Sequence, residues 1–198
     1  MFTGIIEATG TIAEVKRTGE GFRIRVETAL APSMKLGDSV AVNGVCLTAM
    51  LIDGDQVLAD IGPETARVTT LAGLGRGQQV NLERPLKSDG RVDGHFVLGH
   101  VDGVGTVEEV RKEGTSYWIT VEFPPALAQY LVWKGSIAVD GISLTIAGLG
   151  DKHFDVQIIP YTWANTTLRS LRKGDKVNLE CDVLGKHVAR VMDARKPS

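Results

Sequence analysis

The chain holds 198 residues, 43% of them hydrophobic and 23% charged, with a formal charge of -2 and a pI near 6.1. That length allows one domain of ordinary size or two of roughly 90 to 100 residues, and a mean hydropathy of +0.02 describes a globular protein rather than a disordered tail. No apolar run approaches the ~20 residues a membrane span needs, and Arg169, Arg172 and Lys173 are too few to make the basic face of a nucleic-acid binder.

The opening MFTGIIEATG has neither a basic n-region nor a long apolar h-region, so the cytoplasm is the expected compartment. FRIRVE (22–27) alternates β-branched or aromatic residues with arginines and predicts a strand. ALAPSMK (29–35) allows a turn. VAVNG, VCLTA and QVLAD continue the strand series, punctuated by Asp53-Gly54-Asp55. Cys46 and Cys181 fall in no zinc spacing, no metal site is expected, and in this compartment both thiols are expected free. A short helix is predicted after Pro63. The Pro- and Gly-bearing ERPLKSDGRVD (83–93) then reads as a solvated connector. YWITVE (117–122) predicts another strand, PPALAQYLVWKG (124–135) a helix with Pro at its start and Gly at its end, and Pro160 a second short helix.

The second half repeats the first. Gly44 recurs as Gly141, Pro63 as Pro160 and Gly77 as Gly174, each 97 positions on. SVAVNGVCLT (39–48) thus lies on SIAVDGISLT (136–145), PETARVTTL (63–71) on PYTWANTTL (160–168), and GQQVNLE (77–83) on GDKVNLE (174–180). At the front GIIEATGTI (4–12) lies on GHVDGVGTV (99–107) with an offset of 95, so a two-residue length change falls between. A period this long makes each copy a domain, not a solenoid repeat. Short strands at turn-punctuated intervals predict an all-β fold of two small barrels or sandwiches. The tail stands outside the repeat: Leu184, Val188, Val191 and Met192 form an apolar stripe on a polar helix that is marginal alone and needs a partner surface.

Shared core residues such as Val80, Leu82 and Leu47 are what any duplication keeps. Shared threonines, Thr48 with Thr145, Thr65 with Thr162 and Thr70 with Thr167, beside Gly62-Pro63 and Ile159-Pro160, point instead to one shallow ligand site per copy. The differences carry the chemistry: Cys46 against Ser143, Asn43 against Asp140, Ile5 against His100, Gly37 against Lys134, Pro85 against Asp182. Two sites of one shape with unlike acids, bases and nucleophiles fit two copies of one substrate playing different parts.

The opening MFTGII, the pair NGVCLT and DGISLT, GHFVLGHVDG (94–103), the PxTxxxTTL element and the ending VNLECDVLGKHVARV together resemble the riboflavin synthases of the duplicated-barrel type, over the whole chain. The resemblance implies two tandem six-stranded antiparallel Greek-key barrels (1–91 and 92–183) and a C-terminal trimerisation helix (184–198). The N-barrel of one subunit of a homotrimer would meet the C-barrel of the next, with association with lumazine synthase a further implied partnership. The implied enzyme is a cofactor-independent transferase taking two 6,7-dimethyl-8-ribityllumazine molecules per active site. Four-carbon transfer between them gives riboflavin and 5-amino-6-ribitylaminouracil, the last step of riboflavin biosynthesis. The alternative is a lumazine-type fluorescent protein that binds without turnover.

By position, the resemblance puts Gly4, Ile5 and Ile6, then Cys46, Leu47 and Thr48, then Asp60, Ile61, Gly62, Pro63, Glu64 and Thr65 on the N-barrel ligand. It puts Gly99, His100 and Val101, then Lys134, then Ser143, Leu144 and Thr145, then Ile159, Pro160, Tyr161, Thr162, Trp163 and Ala164 on the C-barrel ligand. Tyr161 departs from the His or Glu of the family pattern. Phe2, read as an exposed aromatic, would stack near the reacting rings. His100 is the natural proton carrier and His95 ranks behind it. Cys46 is the candidate nucleophile or acid at C7, Ser143 and Thr145 offer hydroxyls, and Asp182 either acts on a proton or caps the tail helix.

Overall fold

The computed structural model describes residues 1–194, and the rest of the tail, 195–198, lies outside the described residues. The first copy forms β1 (Ala8–Thr18), β2 (Gly21–Glu27), β3 (Ser39–Val42), β4 (Val45–Thr48), β5 (Leu51–Asp53), β6 (Gln56–Ile61) and β7 (Gln79–Glu83). The second forms β8 (Gly103–Glu113), β9 (Ser116–Glu122), β10 (Ser136–Val139), β11 (Ile142–Leu149), β12 (His153–Ile158) and β13 (Lys176–Cys181). Alternation does what the sequence predicts: Ile24 and Val26 of β2 point into the core while Arg23 and Arg25 face out. Both hairpin turns, Asn43-Gly44 and Asp140-Gly141, hold two successive positive φ angles, the left-handed geometry that Asn or Asp followed by Gly supplies.

The second copy is a closed six-stranded barrel in the order β10-β11-β12-β9-β8-β13. The first is a seven-stranded sheet, β4-β3-β7-β1-β2-β6-β5, in which one strand of the expected six is interrupted. Its end strands, β4 and β5, are the two halves of what the second copy runs as the single strand β11. The break follows from a shared irregularity. β11 changes register between Ile146 and Gly148, a bulge at which it leaves β10 and takes up β12. In the first copy the chain makes the same change at Ala49 and Met50, whose amides reach Asp38 and Leu58 on opposite sides, and Leu51 stands where the second copy has Gly148.

α1 (Pro63–Val68) and α2 (Pro160–Asn165) follow the expected prolines. The helix expected over 124–135 is shorter and tighter, a 3-10 turn at Pro125–Tyr130. Its counterpart is Ala31–Ser33, and the two extra residues of the second copy fall in this connection. α3 (Val183–Asp193) is capped by Asp182, whose Oδ1 accepts the Leu184 amide at 3.0 Å. Its Leu184, Val188, Val191 and Met192 are all more than half exposed.

Each barrel has its own apolar core, around Ile12, Ile24, Val40 and Leu82 in one and Val107, Ile119, Ile137 and Phe154 in the other. A third, small cluster sits where the copies meet: Phe2, Ala41, Val97 and Ala138, with Cys46 packed against it. Phe2 is fully buried there and bridges Val97 backbone to backbone, so it is a seam residue and not the exposed aromatic that its terminal position implied. At the same seam a Cβ on Gly44 would stand 2.6 Å from the Gly141 nitrogen, and one on Gly141 2.7 Å from the Gly44 nitrogen, so only glycine lets the two hairpins touch. Asn81 and Asn178 cross between copies: their side-chain amides donate to the Asp140 and Asn43 carbonyls, and their carbonyls accept the Thr167 and Thr70 amides.

Candidate functional site

Before its first strand, each copy sends a lead segment along the seam, and each segment lands on the opposite barrel. The carbonyl of Gly4 accepts the Ser143 amide of β11 at 2.8 Å, and the carbonyl of Gly99 accepts the Cys46 amide of β4 at 2.9 Å. Ile6 packs against the core of the second barrel and Val101 against that of the first. The grouping expected from chain order is therefore crossed. Gly4, Ile5 and Ile6 accompany Ser143, Leu144 and Thr145, whereas Gly99, His100 and Val101 accompany Cys46, Leu47 and Thr48. The reason is close packing of backbone on backbone. Gly4 and Gly99 carry φ of +77° and +80°, and a Cβ on either would lie 2.6 Å from the Ser143 Cβ or 2.5 Å from the Cys46 Cβ.

Two buried glutamates hold these straps. Glu83 of β7 accepts the Thr3 amide at 2.6 Å, the Thr3 hydroxyl at 2.9 Å and the Gly4 amide at 3.0 Å. Glu180 of β13 accepts the amides of Leu98, Gly99 and His100 at 2.7, 2.9 and 3.0 Å. Burial pushes both carboxyls above the usual carboxylate range, and the amide donors pull them back. Sequence reasoning passed over both, although VNLE carries the same acid inside a buried strand in both copies.

Ser143 meets a histidine side chain: its hydroxyl lies 2.7 Å from Nδ1 of His95. Burial lowers the His95 pKa, with the Asp182 charge opposing. The neutral imidazole this favours is the form that takes a proton from a hydroxyl. Asp182 thus both caps α3 and biases His95. His100, ranked first by sequence, is exposed, and its backbone amide is anchored to Glu180. Cys46 is half-buried and free. Cys181 is buried, and desolvation pushes its thiol up to about 12, leaving it inert at neutral pH. No group of three or more His, Cys, Asp or Glu able to hold a metal occurs among the described residues.

The two loop elements differ in how they are held. In the first copy Asp60 is engaged by Arg23 at 2.6 Å, which draws its pKa down, and Glu64 pairs with Arg67. In the second, Trp163 of α2 stacks on Tyr117 of β9, rings parallel with centroids 3.8 Å apart. Gly62, Pro63, Ile159, Pro160, Tyr161 and Ala164 are exposed around them, Thr65 and Thr162 half-buried, and Ile61 buried against β2. Lys134 stands apart on the connection into β10, its ammonium 5.3 Å over the Trp133 ring. Its φ of 64° is one that the first copy gives to Gly37, a strained choice for a lysine.

Comparison with known proteins agrees with the duplication. The lumazine binding domain family matches twice, at residues 3–85 and 98–182. The riboflavin synthase of Bacillus amyloliquefaciens is 44% identical over 97% of this chain and 90% of that protein. That of Actinobacillus pleuropneumoniae is 42% identical over 100% and 92%. Among solved structures, LumP complexed with riboflavin superposes with a TM-score of 0.86 at 28% identity, covering 91% of this chain and 99% of that one. LumP complexed with 6,7-dimethyl-8-(1'-D-ribityl) lumazine gives 0.84 at 27%, over the same shares. With two matched domains and full-length relatives of this identity, the chain belongs to the riboflavin synthase family of tandem lumazine-binding domains.

Proposed function

We propose that this chain catalyses the dismutation of two 6,7-dimethyl-8-ribityllumazine molecules to riboflavin and 5-amino-6-ribitylaminouracil. One observation carries the reading beyond kinship: the crossed straps build two sites of one shape with unlike side chains. Cys46 with the His100 strap forms one, and Ser143 with the buried His95 forms the other. A reaction between two identical molecules needs that asymmetry. One lumazine loses a proton from its C7 methyl, the other accepts a nucleophile at C7, and the four-carbon unit then passes between them. His95, neutral and bonded to Ser143, supplies a base on one side. Cys46 and His100 supply a nucleophile or acid on the other. Asp60–Thr65 and Ile159–Ala164 close the two ligand sites, with Lys134 as an exposed cation at the rim.

In this reading the barrels of residues 1–91 and 92–183 act in pairs across a homotrimer, and α3 lays its exposed Leu184, Val188, Val191 and Met192 against its copies. Among the described residues no helix is long and apolar enough to cross a membrane. The experiment is direct. Purified protein incubated with the lumazine alone turns it into riboflavin and the ribitylaminouracil in equal amounts. Tight binding of the lumazine without product identifies instead a carrier that holds its chromophore unchanged.

A further inference from the structure

We propose that Glu180 and Glu83 are positioning residues, each aligning one half of the reaction by clamping a strap laid on the opposite barrel. The inference rests on the proposed dismutation. Glu180 gathers three successive amides, those of Leu98, Gly99 and His100, on its two oxygens. Glu83 gathers the Thr3 amide and hydroxyl and the Gly4 amide. Three donors converging on one buried group require an acceptor-only side chain with two oxygens, which an ionised carboxylate supplies and an amide does not.

The clamps are selective by geometry. The imidazole of His100 is exposed, and its backbone amide is fixed through Glu180. The same clamp seats Gly99, whose carbonyl takes the Cys46 amide. On the other strap Glu83 seats Thr3, whose carbonyl takes the His95 amide at 3.1 Å, and Gly4, whose carbonyl takes the Ser143 amide. Each glutamate therefore fixes one proton carrier relative to one reactive side chain: His100 to Cys46, and His95 to Ser143. Each clamp also has an ion pair beside it, Asp102 with Lys186 near Glu180 and Glu7 with Arg84 near Glu83, which adds unlike charges without touching the straps' donors.

Glu180→Gln and Glu83→Gln test this. Each leaves a side chain of the same size but turns an NH2 toward amides that need an acceptor. Since a displacement near 1 Å at a reacting group costs roughly 100-fold in rate, each variant is expected to lower kcat by about that factor and to move KM by less than about threefold. A second readout is independent of turnover: the ring C–H signals of the histidines in NMR spectra, assigned by single substitution. Glu180→Gln should move the His100 signals and leave those of His95, and Glu83→Gln the reverse. Near-normal kcat in both folded variants, or the same shifts at both histidines in both variants, overturns the proposal. If neither glutamine variant folds, Thr3→Val decides: it removes one bond of the Glu83 clamp and should lower kcat severalfold while moving the His95 signals, and a variant unchanged in both respects overturns the proposal. Wild-type protein that makes no riboflavin yet shows the crossed NMR pattern would refute the reaction and leave the clamps standing.

Discussion

The Gly99 carbonyl accepts the Cys46 amide at 2.9 Å, although one residue leads into the second barrel and the other lies in the wall of the first. That bond closes the strap onto the strand that carries the thiol, and Gly99 is the only residue type that permits it. Its φ is +80°, and a Cβ there would lie 2.5 Å from the Cys46 Cβ and 2.9 Å from its nitrogen. Gly99→Ala combines left-handed strain of roughly 1–2 kcal/mol with overpacking of about 1–3 kcal/mol. A lowered denaturant midpoint and loss of most activity are expected. Gly19→Ala, also at positive φ but with open space around it, should cost only the conformational part.

His95 and Ser143 give a pH prediction. Burial holds the His95 pKa below its ordinary value of 6.5, and the Asp182 charge partly restores it. The acid limb of the kcat/KM profile is therefore expected below pH 6.5. Asp182→Asn removes the opposing charge, so the limb should move further down, while Asn still caps α3 and keeps the helix. A limb that stays where it is would show that Asp182 does not act on the imidazole. His95→Gln should lower kcat by about 10²- to 10⁴-fold, the range for losing a general base.

The sequence carried the duplication legibly because glycines and prolines fix backbone turns, and turns recur at the same spacing in both copies. It carried the strands for the same reason that Ile24 and Val26 alternate with arginines. The crossing of the straps left no trace there: a hydrogen bond from the Ser143 amide to the Gly4 carbonyl is backbone to backbone and constrains only that position 4 be glycine. The placement of His95 beside Ser143 depends on that crossing, which brings residues 3, 4, 95 and 143 together. Phe2 was misjudged from its place at the terminus, whereas a strap that starts in the seam buries its first aromatic. Glu83 and Glu180 were readable, since an acid repeated inside two buried strands calls for donors, and the straps are the donors.

Asp140 gives a second pH prediction, for stability. It occupies the position that Asn43 holds in the first copy, its Oδ1 accepts the Asn178 amide, and burial pushes its pKa up to about 7. A carboxyl raised above its unfolded value contributes stability that is complete below the unfolded pKa, near 3.8, and that is lost as pH rises through the folded value. The wild-type chain should therefore lose stability between about pH 4 and pH 7 through this group, by an amount on the order of a few kcal/mol. Asp140→Asn makes the seam symmetric and removes the slope, so its advantage over wild type should grow across that interval and level off above it. Contributions of Glu83 and Glu180, raised in both proteins, cancel in the comparison. Denaturant titrations of the two proteins at several pH values measure the difference, and parallel curves would exclude Asp140 as its source.

Among the described residues, Lys186 of α3 pairs with Asp102 of its own barrel at 2.6 Å, while the helix's apolar stripe stays exposed. A truncation after Asp182 should leave both barrels folded and, if the proposed homotrimer forms through α3, separate the subunits, which sedimentation would show directly. If each complete site needs barrels from two subunits, the truncation removes the juxtaposition of two substrates, worth effective molarities of about 10⁵ to 10⁸ M. Cys46→Ala removes one acid–base or nucleophilic group, worth about 10² to 10⁴ in rate. The truncated protein is therefore expected to be the slower of the two at equal folded concentration, and its turnover should climb with protein concentration as encounters restore the pairing. Lys186→Met separates the helix's assembly role from the loss of the Asp102 partner, since it keeps the apolar stripe and should keep both the oligomer and most of the activity. A truncated monomer with near-normal turnover would place both substrates within a single chain.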